Sequence, residues 1–362
     1  MKNQIAGIVP FPTDCESNPF FAALASVLLP ALGFTEETSF PCGRGGFCTK
    51  CGECKPTILQ RYHLRMYHDY QTLTGVSFAW AWPELDTDYH AIENAGADWR
   101  WPDEFIGFIM GFAGLAWQRI SKDAQNDNIY QAITASIAKG VPVLLKLGNG
   151  QDWHVVTGYR NGSLYALSYK KKERLLSKWH DVFEEAIVIT GRCEPTATFA
   201  DILRRIIAVL EHPTHTQLEA DLNRRIDEIT DENAQDTAVW LNAVASFPIE
   251  ARWHAAESFT TGEDALYGMR RLTGDAAVKN LFGRIFLSYI GGEYEGNTHG
   301  VLWKVWGLLG IPSKKTGFAV PKNGGELVMK PEAQIELKRL FALVFKNDRD
   351  VLAVLKEALM LL

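Results

Sequence analysis

The chain has 362 residues, 47% of them hydrophobic and 22% charged, which is enough to bury two domain cores. A net charge of -6 and a pI near 5.9 leave no basic footprint, which argues against a nucleic-acid partner. The most hydrophobic run, Phe105 to Trp117, spans 13 residues, short of the ~20 a membrane crossing needs. MKNQIAGIVPFPTD has no secretory pattern, so the expectation is a cytoplasmic protein with no membrane partner.

In chain order, the first marked feature is Cys15, in PTDCESNPFFAALASVLLPALGF. The apolar run after it predicts a buried helix with Asn18 as N-cap and Pro19 as its first residue, since Asn caps well and Pro suits that position. Cys15 then lies one turn ahead of the helix, where the dipole that lowers a thiol pKa acts more weakly.

The densest cluster follows: Cys42, Cys48, Cys51 and Cys54, four thiols within 13 residues, interleaved with Gly43, Gly45, Gly46 and Gly52. Such a loop can wrap one tetrahedral ion with sulfurs at ~2.3 Å, and structural zinc is the leading reading. An iron–sulfur cluster and a pair of disulfides stay open, because CxxCxxC also begins the ferredoxin pattern. No organic cofactor is expected. His63 and His68 could replace one thiol, although they fall on a predicted helix, Thr57 to Leu73.

From Val76 to Trp101 the chain is aromatic and acidic, with Phe78, Trp80, Trp82, Tyr89, Trp99 and Trp101. It is read as a loop packed over the core, with the wall of a substrate cleft as its functional alternative. Pro102 opens a predicted apolar helix reaching about Ile120. Ile129, Ala132, Ile133 and Ile137 recur at helical spacing to Lys139.

Two β-rich runs follow, Val141 to Leu147 and Trp153 to Tyr159. A third, Leu164 to Ser168, comes after the turn at Asn161-Gly162. They form a predicted antiparallel meander with His154 at the start of its middle strand. Ala186 to Thr190 reads as one more buried strand, and the domain ends near Cys193-Glu194-Pro195.

A lone Cys ahead of a helix, with a His 139 residues later, is the papain-type arrangement. Cys15 before its helix, then GVPVLLKL, then DWHVVTGY, resembles the papain-like cysteine hydrolases. The likeness is nearest to their bacterial branch that includes bacteriocin-leader peptidases and the N-terminal domain of butirosin biosynthesis protein H, an acyltransferase. It covers residues 5 to 193. The resemblance implies an α+β fold, with a papain-like domain of helices and antiparallel sheet over residues 1–193.

It also implies a hydrolase or acyltransferase in which Cys15 attacks an amide, ester or thioester while His154 manages its proton. The partner would be a peptide or an acyl-carrying small molecule. Where the family has Asp or Asn to orient the imidazole, this chain has Ser168, with Asn161 and Asp152 as fallbacks. Val9 stands at the place of the oxyanion-hole amide, and Gln4 or Thr13 are the substitutes. These departures keep a second expectation alive, a non-catalytic relative that binds or scaffolds.

Beyond Thr196 strand-like runs nearly vanish. Amphipathic helices are predicted at Phe199 to Glu211, Gln217 to Ile229, Ala234 to Ser246, Asp264 to Leu272, Ala276 to Tyr289, Val301 to Leu309, Glu332 to Phe345 and Asp350 to Leu361. Residues 196–362 are therefore expected to form an all-α domain. His180, an alternative base, and His254 and His299 are read as structural or surface histidines.

Overall fold

The computed structural model describes residues 3–6, 8, 19–34, 58–80, 105–123, 126–148, 153–168, 171–260, 269, 272–311 and 319–362. The chain divides into two compact units. One comprises Met1–Tyr70, Asp103–Thr198 and Asp264–Leu266; the other comprises Gln71–Pro102, Phe199–Glu263 and Tyr267–Leu362.

The first unit is built on an antiparallel sheet of seven strands. They are β1 (Asn3–Gln4), β2 (Leu115–Ser121), β3 (Val143–Leu147), β4 (Trp153–Arg160), β5 (Ser163–Ser168), β6 (Lys171–Leu176) and β7 (Phe183–Arg192). Their order is β2-β7-β3-β4-β5-β6, and β1 pairs with β4 beyond the end of β3. The predicted meander is present as β3, β4 and β5. Arg160 and Ser163 are opposed across a two-residue loop in which Asn161 has φ 47° and Gly162 φ 80°. Two positive φ values are what a tight hairpin with right-handed strand twist requires, so Asn-Gly forms here for a local reason.

Gly158 serves a different need. A Cβ there would lie 2.6 Å from the Asn3 carbonyl oxygen, so only glycine lets β1 lie against β4.

Helix Asn126–Ala138 lays Ile129, Ile133 and Ile137 on one face of this sheet, against Val143, Leu145, Val156, Leu164, Ala166, Ala186 and Val188. The period of the helix and the two-residue period of the strands therefore meet in one core. Helix Pro19–Ala31 packs on β3 and β4, and the Phe20 ring meets the Trp153 ring edge-on at 5.4 Å.

The sequence predicts helix from Pro102 to about Ile120, and the structure differs. The helix runs Phe105–Ala113, and the chain then becomes β2. Gly114 stops it with φ 64°, and its carbonyl and that of Gly111 accept from Cys193 and Thr196. The apolar run thus serves two elements, which periodicity over so short a stretch does not separate.

In the second unit every element from Phe199 onward is helical among the described residues. Helix Pro331–Met360 packs against helices Phe199–Leu210, Pro213–Asp227, Ala276–Phe286 and Thr298–Leu308. The sequence reads this last helix as two pieces, parted at the polar run around Asn347 and Asp348. It is continuous because both residues are buried and partnered. Asn347 donates to the Gly296 carbonyl at 2.9 Å and to Thr298 Oγ1 at 3.1 Å. Asp348 receives the buried Arg252 through Nε at 2.9 Å and Nη2 at 2.6 Å, Trp80 Nε1 at 2.9 Å and the Tyr289 hydroxyl at 3.0 Å.

Arg252 Nη1 donates to the carbonyls of Ser77 and Ala79. Burial alone would oppose its charge; the Asp348 carboxylate outweighs that and holds Arg252 above the ordinary arginine range. Burial, reinforced by the same carboxylate, pushes the Tyr289 hydroxyl well up. Tyr289 sits in a π-helical turn, Leu287–Gly291, that continues helix Ala276–Phe286 and re-aims the side chain. Helix Ala234–Thr260 likewise runs past Pro248, where the sequence predicts an end at Ser246. The missing N–H is offset by buried packing of Ala251, Ala255, Ala256 and Phe259.

The aromatic stretch from Val76 is corrected in part. Phe78 and Trp80 are no cleft wall: both are buried in the second unit, and Trp80 stacks on Phe345 at 4.5 Å. Trp82, Tyr89, Trp99 and Trp101 lie outside the described residues. No helix among the described residues is long and apolar enough to cross a membrane.

Candidate functional site

His154 is the second residue of β4. Its Cα is paired with Leu145 on β3 and with Ser168 on β5. Buried strands on both sides hold the backbone, and the side chain is 5% exposed. Arg174 of β6 reaches toward it, with Nη2 3.4 Å from His154 Nε2. A guanidinium only donates, so Nε2 is the acceptor in this contact and the ring proton is assigned to Nδ1.

Arg174 is opposite Ala166, and β5 lies between it and His154. Its side chain must span two inter-strand gaps, roughly 10 Å in all, and the small side chain of Ala166 leaves it room.

Ser168 faces His154 directly across the β4–β5 pair. Its hydroxyl is buried and has no hydrogen-bond partner, so it does not orient the imidazole here. Asn161 shapes the hairpin turn at the opposite end of β4, seven residues beyond His154 and hence about 20 Å along the strand. The structure brings Ser168 and His154 together and leaves Asn161 apart from them.

Strand alternation adds a further fact. Trp153, which meets Phe20, points to the face covered by helix Pro19–Ala31, and its neighbour His154 points to the other face, with Leu145 and Ala166. Cys15 and the oxyanion candidate Thr13 lie outside the described residues, as do Asp152 and Cys42, Cys48, Cys51 and Cys54. Gln4 is described: its amide donates to Glu173, which also receives the Thr157 hydroxyl. These three, with Ile5 and Leu167, line a cavity of about 380 Å³. Leu167 alternates with Ser168, so the cavity lies across the sheet from His154.

Four other histidines among the described residues have these settings. His63 Nε2 donates to the Ala22 carbonyl at 2.9 Å, and Ser26 Oγ lies 3.0 Å away, which ties helix Ile58–Leu73 to helix Pro19–Ala31. His180 is exposed beside Asp181. His254 meets Glu250 at 3.2 Å. His299 accepts from Trp303 Nε1 at 3.1 Å, and burial holds it below the ordinary histidine range. Among the described residues no group of three or more His, Cys, Asp or Glu is placed to hold a metal ion.

No protein-family model matches the chain, and no curated protein matches it.

Arg174 is the site residue that sequence reasoning misses. It falls in KKKERLL, a charge run with no alternation, and the signal that would find it is the cross-strand register rather than any local pattern.

Proposed function

We propose that the chain is a papain-like cysteine-dependent hydrolase or acyltransferase, with Cys15 as nucleophile and His154 as the group that takes and returns its proton. One observation carries the reading. The start of helix Pro19–Ala31 meets the start of β4 through Phe20 and Trp153, and Cys15 precedes that helix by only four residues. Four residues of chain reach about 14 Å, enough to carry the thiol round the end of β4 to the face where His154 lies.

The Cys15 sulfur would form a bond to the carbonyl carbon of an amide, ester or thioester. Its proton would pass through His154 to the leaving group as the old bond breaks, and water or an acceptor would then cleave the acyl-sulfur bond. The reducing cytoplasm suits such a thiol. Residues 196–362 are part of the proposal as an all-α domain.

The test is alkylation by iodoacetamide at mildly acidic pH, followed by mass spectrometry, with the exposed Cys193 as an internal reference. Cys15 should react far faster than Cys193. His154→Ala should slow it by about a hundredfold, the lower end of what a positioned base contributes. Equal rates for the two thiols would sink the reading.

That outcome would favour the second reading, a non-catalytic relative that binds or scaffolds. Two observations speak for it. The Arg174 guanidinium donates toward His154 Nε2, occupying a lone pair that a general base would need. The alternation of β4 also turns His154 away from the face that Phe20 occupies.

We also propose that Cys42, Cys48, Cys51 and Cys54 hold one structural zinc ion, since four thiolates would close its coordination sphere. Metal analysis of protein purified without chelator should find about one zinc per chain, and chelation should lower the melting temperature. A metal-free chain that melts identically with and without chelator would overturn it.

A further inference from the structure

We propose that Arg174 and Ser168 form a carboxylate-binding subsite beside His154, so that the partner of this site carries a carboxylate. The inference rests on where His154 sits and does not depend on Cys15 being reactive.

Two observations lead to it. Arg174 is a full cation that meets no carboxylate among the described residues; its hydrogen bond there is the long 3.4 Å contact with the imidazole. Four of the five guanidinium N–H groups are then left for a ligand. Independently, the Ser168 hydroxyl is 1% exposed and has no hydrogen-bond partner. A buried hydroxyl left unpaired is unfavourable by about 1–3 kcal/mol, which a ligand accepting its proton would remove.

The register puts the two donors together. Ser168 is directly across from His154 on β5, the strand that Arg174 reaches over. In the same sheet Arg119 and Lys146 both pair with Glu185.

A carboxylate is the chemistry that fits. Its two oxygens match the planar fork of a guanidinium, leaving a lone pair for the serine. As it binds it competes for the guanidinium, releasing the lone pair of His154 Nε2.

The experiment uses the full chain labelled at histidine with ¹⁵N and titrated with acetate, phosphate and chloride at constant ionic strength. The His154 ring resonances should shift saturably with acetate in the millimolar range. Chloride should leave them in place. Arg174→Gln should weaken acetate binding about tenfold or more. Arg174→Lys should retain part of it as a point charge, and Ser168→Ala should weaken it while leaving the fold intact.

Three results overturn the proposal: shifts of equal size with chloride, tighter binding of phosphate than of acetate, or unchanged acetate binding in Arg174→Gln or, if that variant misfolds, in Arg174→Lys. Because the readout is the imidazole, a silent Cys15 in the alkylation assay leaves the result interpretable. The two readings fail separately.

Discussion

Asp348→Ala should destabilise the second unit by about 3–5 kcal/mol, the usual consequence of stranding a buried charge. Arg252 is 0% exposed, and its guanidinium is held by Asp348 through two nitrogens. Removing the carboxylate leaves that cation hydrogen-bonded only to the Ser77 and Ala79 carbonyls, which accept at Nη1. The same change strips the partner from Trp80 Nε1 and from the Tyr289 hydroxyl.

Urea unfolding followed by tryptophan emission suits the test, because Trp80 lies inside the network. The replacement of both charges, Arg252→Met with Asp348→Leu, should recover most of the loss, since well-packed apolar groups often match a buried ion pair. A loss below about 1 kcal/mol in Asp348→Ala would mean that water reaches Arg252, and the buried network would have to be abandoned.

The second large effect is expected at Phe282, which is 0% exposed and touches Phe259 at 4.8 Å and Phe199 at 6.0 Å between ring centroids. Phe282→Ala should cost about 3–5 kcal/mol, combining lost transfer energy with the cavity left among rings. Phe282→Leu keeps most of the volume and should cost less.

Position in the chain adds a coupling. Helix Ala276–Phe286, capped at Asp275 by bonds to the N–H groups of Ala277 and Val278, runs straight into the π-helical turn that aims Tyr289 at Asp348. Loosening the helix at Phe282 should therefore weaken the Tyr289 bond as well. The double variant Phe282→Ala, Tyr289→Phe should lose less than the sum of its single variants when measured by the same urea titration. Strict additivity would show that the turn holds Tyr289 without help from the helix.

What the sequence by itself determined are the features whose cause is local. Helix Asn126–Ala138 shows its apolar positions at helical spacing, and β3, β4 and β5 show theirs as β-rich runs bounded by turns. The Asn161-Gly162 turn follows from two residues that tolerate positive φ. Helix Pro19–Ala31 follows from a proline suited to a first turn and an apolar run behind it. His154 was legible as a strand-borne histidine for the same reason, since DWHVVTGY carries its own strand signal.

The tertiary structure decided whatever depends on a partner far along the chain. β6 reads as a charge run until its pairing with β5 is known, and only that register lays Arg174 over Ala166 toward His154. Asn347 and Asp348 look like a break between two helices, because the residues that satisfy them lie elsewhere. Asp348 meets Arg252 from 96 residues away and Trp80 from 268. A buried polar residue is stable only when its hydrogen bonds are met. No local window contains that information, so a continuous helix from Pro331 to Met360 becomes legible only once the chain has folded around it.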